Sequence, residues 1–338
     1  MRPRVAVIVL NWNGEKLLGE FLPSVVQNTN PELGRIVVAD NHSSDGSVVC
    51  LEREFPGVER LVLDENYGFA GGYNRAIQQI EAELVVLLNS DVEVTEGWLE
   101  PLVAALDRDS CLAGVQPKIR AYGERDRFEY AGACGGFIDY LGFPFCRGRV
   151  LGTIEPDRGQ YDTEEEVFWA TGAALCIRRE LYLMSGGLDE AFFAHMEEID
   201  LCWRLKNQGY VFKVVPTSVV YHLGGGTLPM NHPRKLFLNY RNNLLMLYKN
   251  VGFRSRRRVF VMRFMLDMLA ATLFLLKGEG ANSASIFRAY IAYREMKKKY
   301  QPGHGHRQVT GIYRRVLVWD YFVCKKKRYS QLKTRGWK

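Results

Sequence analysis

The 338-residue chain reads as an α/β protein with a mostly parallel central sheet, flanking helices and a helical, basic C-terminal extension. Three observations carry that reading. Apolar runs of strand length alternate with helical periodicity through the first ninety residues. The runs 5–10 and 84–88 are uninterrupted, as strands buried on both faces of a parallel sheet require. Charge is split along the chain: residues 1–250 hold 24 Lys and Arg against 34 Asp and Glu, whereas residues 251–338 hold 21 against 4.

The elements follow in order. Residues 5–10 form a buried strand. Residues 15–27 form a helix with Leu17, Leu18, Phe21, Leu22 and Val25 on one face. A second strand, 36–39, ends at Asp40-Asn41, and 45–55 can be helical. A third strand spans 58–63, a helix 71–80 follows a Gly-rich turn, and the fourth strand, 84–88, ends at Asn89-Ser90-Asp91. This rhythm implies right-handed crossovers. Residues 115–165 are irregular and rich in Gly and aromatics, ending in Glu164-Glu165-Glu166, which reads as solvated surface. Helices are expected at 178–184 and 197–208 and a strand at 211–215.

The character changes near 236, so the chain divides into 1–235 and 236–338. Residues 236–248 are helix-like, with Arg241 and Asn242-Asn243 interrupting the apolar positions. A basic run at 254–258 precedes an apolar segment, 259–276, that contains Arg263 and Asp267; four residues apart, these share a helix face. The segment reads either as a helix drawn to an anionic membrane surface by its basic flanks or as a core helix on the main domain. No uninterrupted apolar stretch reaches about 18–20 residues, so no transmembrane helix is expected. The run 5–10 is too short for a signal peptide. Seven cysteines without Cys-x-x-Cys spacing read as reduced, buried thiols in a cytosolic protein.

Chemistry concentrates at the strand ends, where open α/β sheets bind ligands. Asn11-Trp12-Asn13-Gly14 follows the first strand. Asp40, after the second, can accept from a base N–H or a ribose hydroxyl. After the third come Asn66, Gly68, Gly71, Gly72 and Asn74; the glycines permit close backbone approach and open a helix N-terminus, which favours phosphate. Asp91, after the fourth, suits a hard divalent cation carrying phosphates. Each turn alone is equally ordinary structure, and recurrence at successive strand ends points to a ligand. A dinucleotide oxidoreductase is excluded, because no Gly-x-Gly-x-x-Gly follows the first strand. Glu198, near a helix start, can take a proton or simply complement the helix terminus. Asp200 and Arg204 are i, i+4 partners. His222 precedes Gly224-Gly225-Gly226-Thr227 and is either a metal or phosphate ligand or a structural residue. A nucleic-acid binder is disfavoured, since the positive charge is interleaved with an apolar helix and no binding motif appears.

Eight pieces in order resemble family 2 glycosyltransferases of the GT-A fold, especially bacterial rhamnosyltransferase-like members. They are Val7-Ile8-Val9-Leu10-Asn11-Trp12-Asn13, Asp40-Asn41-x-Ser43-x-Asp45-Gly46-Ser47, Asn66-x-Gly68-Phe69-Ala70-Gly71-Gly72-x-Asn74, Leu88-Asn89-Ser90-Asp91, Trp169-Ala170-Thr171-Gly172-Ala173, Gly186-Gly187-Leu188-Asp189-Glu190-x-Phe192-Phe193, Glu197-Glu198-x-Asp200-Leu201-x-x-Arg204, and His222. They cover residues 4–227. The resemblance implies inverting transfer of a sugar from a nucleotide diphosphate. It gives Asp40 the base, the Asn11 and Asn13 loop the nucleoside, and Asn66, Gly68, Gly71, Asn74 and Asn89 further places in the nucleotide-sugar site. Asp91 would bind Mg²⁺ or Mn²⁺, with His222 as a further ligand, and Glu198 would be the general base. Trp169, Gly172, Glu197, Asp200 and Arg204 fall on the acceptor side or are structural. Many relatives carry Asp at the positions of Asn89 and Glu198. The expected activity moves a sugar, such as rhamnose from dTDP-rhamnose, to a glycan or lipid-linked acceptor in surface polysaccharide synthesis. The expected location is cytoplasmic and peripheral, on the inner face of the bacterial cell membrane. The other reading is a non-catalytic sugar-nucleotide or glycan-binding module on the same fold.

Overall fold

A computed structural model describes residues 4–224, 232–303 and 309–332. Strands β1 (Val5–Asn11), β2 (Gly34–Asp40), β3 (Glu59–Val62) and β4 (Leu84–Asn89) run parallel in the order β4-β1-β2-β3. Helices α1 (Glu15–Asn28), α2 (Ser47–Glu54) and α3 (Gly68–Gln79) make the crossovers. The uninterrupted run 84–88 is explained by two cores. Val85 and Leu87 pack into one with Tyr73 and Ile77 of α3, while Val86 and Leu88 pack into the other with Leu18 and Leu22 of α1. Register aligns Asn11 with Asp40 and Leu10 with Asn89, so the three strand ends form one edge.

Beyond β4 the sheet becomes mixed. A short strand β5 (Val92–Val94), helix α4 (Leu99–Arg108) and strand β6 (Leu112–Ala121) follow. Residues expected to be irregular instead build a second sheet from β7 (Gly136–Asp139), β8 (Pro144–Cys146), β9 (Arg149–Val150) and β10 (Thr153–Ile154). These strands are too short to show periodicity. Next come β11 (Glu165–Val167), β12 (Ala174–Arg178), α5 (Arg179–Met184), α6 (Glu197–Gln208) and β13 (Val211–His222). Strand β12 lies antiparallel between β4 and β6, and β13 runs parallel to β6, extending far past the expected 215 to deliver His222 to the sheet edge.

The acidic run differs from its expectation. Glu165 accepts from the buried Arg147 guanidinium at 2.6 Å, and Glu166 from the buried Lys206 ammonium at 2.9 Å. These carboxylates neutralise interior cations instead of merely facing water. Five cysteines are buried, Cys111 and Cys324 are exposed, and all seven are free.

The C-terminal region is woven into the body. It comprises α7 (Pro233–Asn250), α8 (Phe253–Leu276), α9 (Gly280–Met296), β14 (Ile312–Tyr313), α10 (Leu317–Phe322) and α11 (Tyr329–Leu332). The boundary placed at 235/236 falls inside α7. Strand β14 pairs with β7, and Tyr329 is buried with Phe137, Phe145 and Tyr161 while its N–H donates to Glu155 at 3.0 Å. This region is therefore no detachable appendage, because Val259, Tyr293, Tyr313, Leu317, Tyr329 and Leu332 belong to the main core. Helix α8 is long and apolar enough to cross a membrane, its only charges within the apolar window being Arg263 and Asp267.

Candidate active site

The first two strand ends hold each other. Asn11 Nδ2 donates to Asp40 Oδ1 at 2.9 Å and to Ser43 Oγ at 3.2 Å. Asp40 also accepts from the Ser43 N–H at 2.9 Å and its hydroxyl at 2.6 Å. The Asp40 carboxylate, expected to hold the base, is buried and bonded to the loop it ties down. Asn11 Oδ1 remains buried without a partner. A Cβ at Gly14 would sit 2.3 Å from that oxygen, so glycine is required there. The rim above is exposed: Trp12 projects outward, and Asn13 adopts a left-handed φ of +48° with its Oδ1 accepting from the Ser44 N–H at 2.7 Å.

The third strand end forms a tight loop. Asn66 Oδ1 accepts from Asn41 Nδ2 at 3.0 Å and from the Gly68 N–H at 2.9 Å. Gly68, at φ +67°, begins α3, three residues before the expected start. Gly71 and Gly72 serve close packing: added Cβ atoms would meet Tyr67 Cβ at 2.8 Å and Leu10 Cδ1 at 2.7 Å. Asn74 is a correction. Its Nδ2 donates to Leu188 O at 2.8 Å, and its Oδ1 accepts from the Tyr182 hydroxyl at 2.6 Å and the Leu188 N–H at 3.0 Å. It locks the 186–190 loop onto α3 and has no atom left for a ligand.

Asp91 and His222 meet where β4 and β13 end. His222 Nε2 lies 3.1 Å from Asp91 Oδ1. Its Nδ1 is 3.6 Å from Glu129 Oε1, too long for a hydrogen bond. Burial opposes a charged imidazole, but the two carboxylates outweigh it and push His222 up to about 10. Burial likewise raises Asp91, yet the His222 contact and backbone donors hold it below the usual carboxylate range. Glu93 turns away and accepts from Arg125 at 2.8 Å. The Gly225-Gly226-Thr227 stretch lies outside the described residues. Among the described residues, no group of three acidic, His or Cys side chains forms a complete metal cage. An aspartate oxygen and, once a cation displaces its proton, the imidazole nitrogen at one strand edge do suit a partial site, completed by ligand oxygens.

Glu198 sits across from this edge. The Asn89 N–H donates to Ala173 O at 3.0 Å, and a Cβ on neighbouring Gly172 would lie 3.2 Å from Phe69 Cζ and 3.8 Å from Glu198 Cβ. The Gly172 turn thus brings the base candidate to the strand end carrying Asp91. Glu197 Oε2 and Glu198 Oε2 are both buried without partners. Burial pushes Glu198 up to about 7, and burial together with the adjacent Glu198 charge raises Glu197 well above the usual carboxylate range. A carboxyl near 7 is poised for proton transfer at neutral pH. Trp169 is buried, and its indole N–H donates to Phe137 O at 3.0 Å. The expected Asp200–Arg204 pair forms at 2.8 Å.

The segment presenting Glu198 is held from α7. Phe193, His195 and Met196 all have φ between +67° and +76°, a conformation costing about 1–3 kcal/mol per residue. Buried Asn242 directs its amide to Phe192 O at 2.9 Å and to Ala194 O and His195 O at 2.8 Å each. Lys249 and Asn250 donate to Asp200 at 2.8 Å each, anchoring the helix on its other side. Sequence reasoning assigned no role to Asn242, Lys249, Asn250 or Glu129. A signal existed for the first, because an Asn pair interrupting an apolar helix face must find buried partners. Asn242→Ala is expected to lower kcat about tenfold to a hundredfold by displacing Glu198, with donor KM changed less than about twofold. Steady-state kinetics with varied donor checks this, and a fall in donor affinity with kcat intact would contradict it.

Residues 6–155 match the family model described as glycosyl transferase family 2. The N-acetylglucosaminyl-diphospho-decaprenol L-rhamnosyltransferase of Mycobacterium tuberculosis is 28% identical over 234 residues, covering 64% of this chain and 75% of that protein. The dTDP-rhamnosyl transferase RfbF of Shigella flexneri is 20% identical over 268 residues, covering 74% and 82%. Among solved structures, GalNAc-T7 with UDP, GalNAc and Mn²⁺ superposes with a TM-score of 0.58 at 16% identity, covering 75% of this chain and 49% of that one.

Proposed function

We propose that the chain, whose residues 6–155 match the family 2 glycosyltransferases, moves a deoxyhexose from a nucleotide diphosphate to a hydroxyl of a lipid-linked glycan, with inversion. The observation that carries the reading is the pairing of Glu198, whose buried Oε2 has no partner, with the Asp91–His222 edge, joined through Gly172 and Ala173. Rhamnose on dTDP is the leading donor, the sugar supported by the names of two relatives and the nucleotide by that of the Shigella relative. The decaprenol acceptor of the mycobacterial relative supports a lipid-linked acceptor.

Glu198 takes the acceptor hydroxyl proton while that oxygen attacks the anomeric carbon in line, and the sugar–diphosphate bond breaks on the opposite face. The strained 193–196 loop and Asn242 fix where the carboxylate stands. Asp91 and His222 are the residues that would hold a divalent cation, which would supply positive charge to the departing diphosphate. Their mixed oxygen and nitrogen donors favour Mn²⁺ over Mg²⁺, which prefers oxygen alone. Trp12, Asn13 and Asn66 line the rim proposed for the nucleoside, with Asn11 and Asp40 as its support. We further place the enzyme as a peripheral protein on the inner face of the bacterial membrane, where a lipid-linked acceptor is available.

A panel of nucleotide sugars tests this reading by hydrolysis and by thermal shift, with and without Mn²⁺ or Mg²⁺. dTDP-rhamnose is expected to be turned over, with the larger melting shift in Mn²⁺. A panel in which no nucleotide sugar is hydrolysed or stabilises the protein would discard it.

A further inference from the structure

Helices α8 and α9 have their polarity turned inside out. The face of α8 against the body carries Val259, Arg263, Asp267 and Ala271 at four-residue intervals. Arg263 pairs with Asp267 at 2.8 Å, donates to Asn243 Oδ1 at 2.6 Å and lies 3.9 Å from the Phe143 ring centre, and the Tyr290 hydroxyl of α9 donates to Asp267 at 2.9 Å. The outward face instead carries Val261, Phe264, Met265, Leu269, Leu273 and Leu276, between 49% and 79% exposed. Helix α9 repeats the pattern in part: Asn282, Ser283 and Ser285 are buried beside Ile286, Ala289 and Tyr293, whereas Phe287 and Ile291 are exposed. A helix on a protein surface in water shows the opposite arrangement, and a contiguous exposed apolar patch marks an interaction site.

We propose that the outward face of α8 and α9 docks into the apolar layer of a phospholipid bilayer, with both helices lying along the interface. This rests on the membrane location proposed above and names the surface responsible. Helix α8 does not cross, because its Arg263–Asp267 pair is fixed to Leu141 and Asn243 of the body and to Tyr290 of α9. The rim selects the occupant. Arg254, Arg257, Arg258, Arg288, Arg294 and Lys298 are exposed around the patch, and residues 251–303 hold only three acidic side chains. That rim complements anionic headgroups. A second copy of the chain would bring two cationic rims together, which opposes association.

Flotation of the full chain tests the proposal, using phosphatidylglycerol–phosphatidylethanolamine vesicles beside phosphatidylcholine vesicles. The wild type is expected to float with the anionic vesicles. Combining Phe264→Ser, Met265→Gln, Leu269→Gln and Leu273→Gln is expected to reduce the bound fraction about tenfold or more, without loss of fold by circular dichroism. Combining Arg254→Gln, Arg257→Gln and Arg258→Gln is expected to weaken binding to the anionic vesicles alone, as raised salt does to the wild type. An apolar-face variant that floats like wild type overturns the proposal. So does a wild type that ignores vesicles; if that protein is dimeric and the apolar-face variant monomeric, the patch joins two copies. Turnover of dTDP-rhamnose in the same preparations separates the two readings. A variant that no longer floats but still turns over donor supports the surface and keeps the transferase, whereas a floating wild type without turnover strikes only the transferase.

Discussion

Glu198→Gln is expected to lower sugar transfer by about 10²–10⁴-fold while nucleotide-sugar binding persists. The substitution keeps shape and volume and removes only basicity. Glu198 Oε2 has no partner in the protein, and the amide oxygen of a glutamine can keep the backbone donors of Glu198 and Ile199. A structural role would therefore predict a small effect. The pH profile supplies a second check. Burial pushes this carboxyl up to about 7, and a general base works only when ionised. Below that pH the rate is expected to fall about tenfold per unit, and above it to level off. In Glu198→Gln the residual rate should lose this acid limb. Burial and the neighbouring Glu198 charge raise the Glu197 carboxyl as well. Full turnover in the variant would remove Glu198 as the base, and a wild type that binds nucleotide sugar without any turnover would leave a binding module.

The parallel half of the fold was legible because its signals are local. Two-sided burial makes 5–10 and 84–88 uninterrupted, and helix α6 was placed at 197–208 from periodicity alone. The second sheet was not legible, since strands of two to four residues carry no period and β14 reaches β7 from far along the chain. Site residues divide the same way. Asp91, His222 and Glu198 stood out by chemistry at element ends. The inward turn of Asp40 and the internal use of Asn74 depend on partners at Ser43, Tyr182 and Leu188, which only the folded chain brings into place. The clamp on the 193–196 loop from α7 is equally non-local, and it is why a boundary at 235/236 cut through the catalytic unit.

Asp91→Ala is expected to abolish measurable transfer, a loss of about 10³-fold or more, through a different failure from that of Glu198→Gln. Asp91 is the sole carboxylate at the end of β4, and its charge is secured by His222 at 3.1 Å and by backbone donors. Removing it leaves His222 facing Glu129 alone at 3.6 Å, and the edge loses its anionic oxygen. The leaving diphosphate then lacks charge neutralisation, so both its binding and its departure suffer. The difference is measurable without turnover: a dTDP-dependent melting shift enhanced by Mn²⁺ should vanish in Asp91→Ala and survive in Glu198→Gln. Asn89→Ala provides the contrast. Asn89 is neutral, and its structural bond to Ala173 O uses the backbone N–H, so the substitution should reduce transfer less than about tenfold. If Asn89→Ala and Asp91→Ala proved equally damaging, the strand end would be acting through its backbone shape, and the assignment of charge to Asp91 would fail.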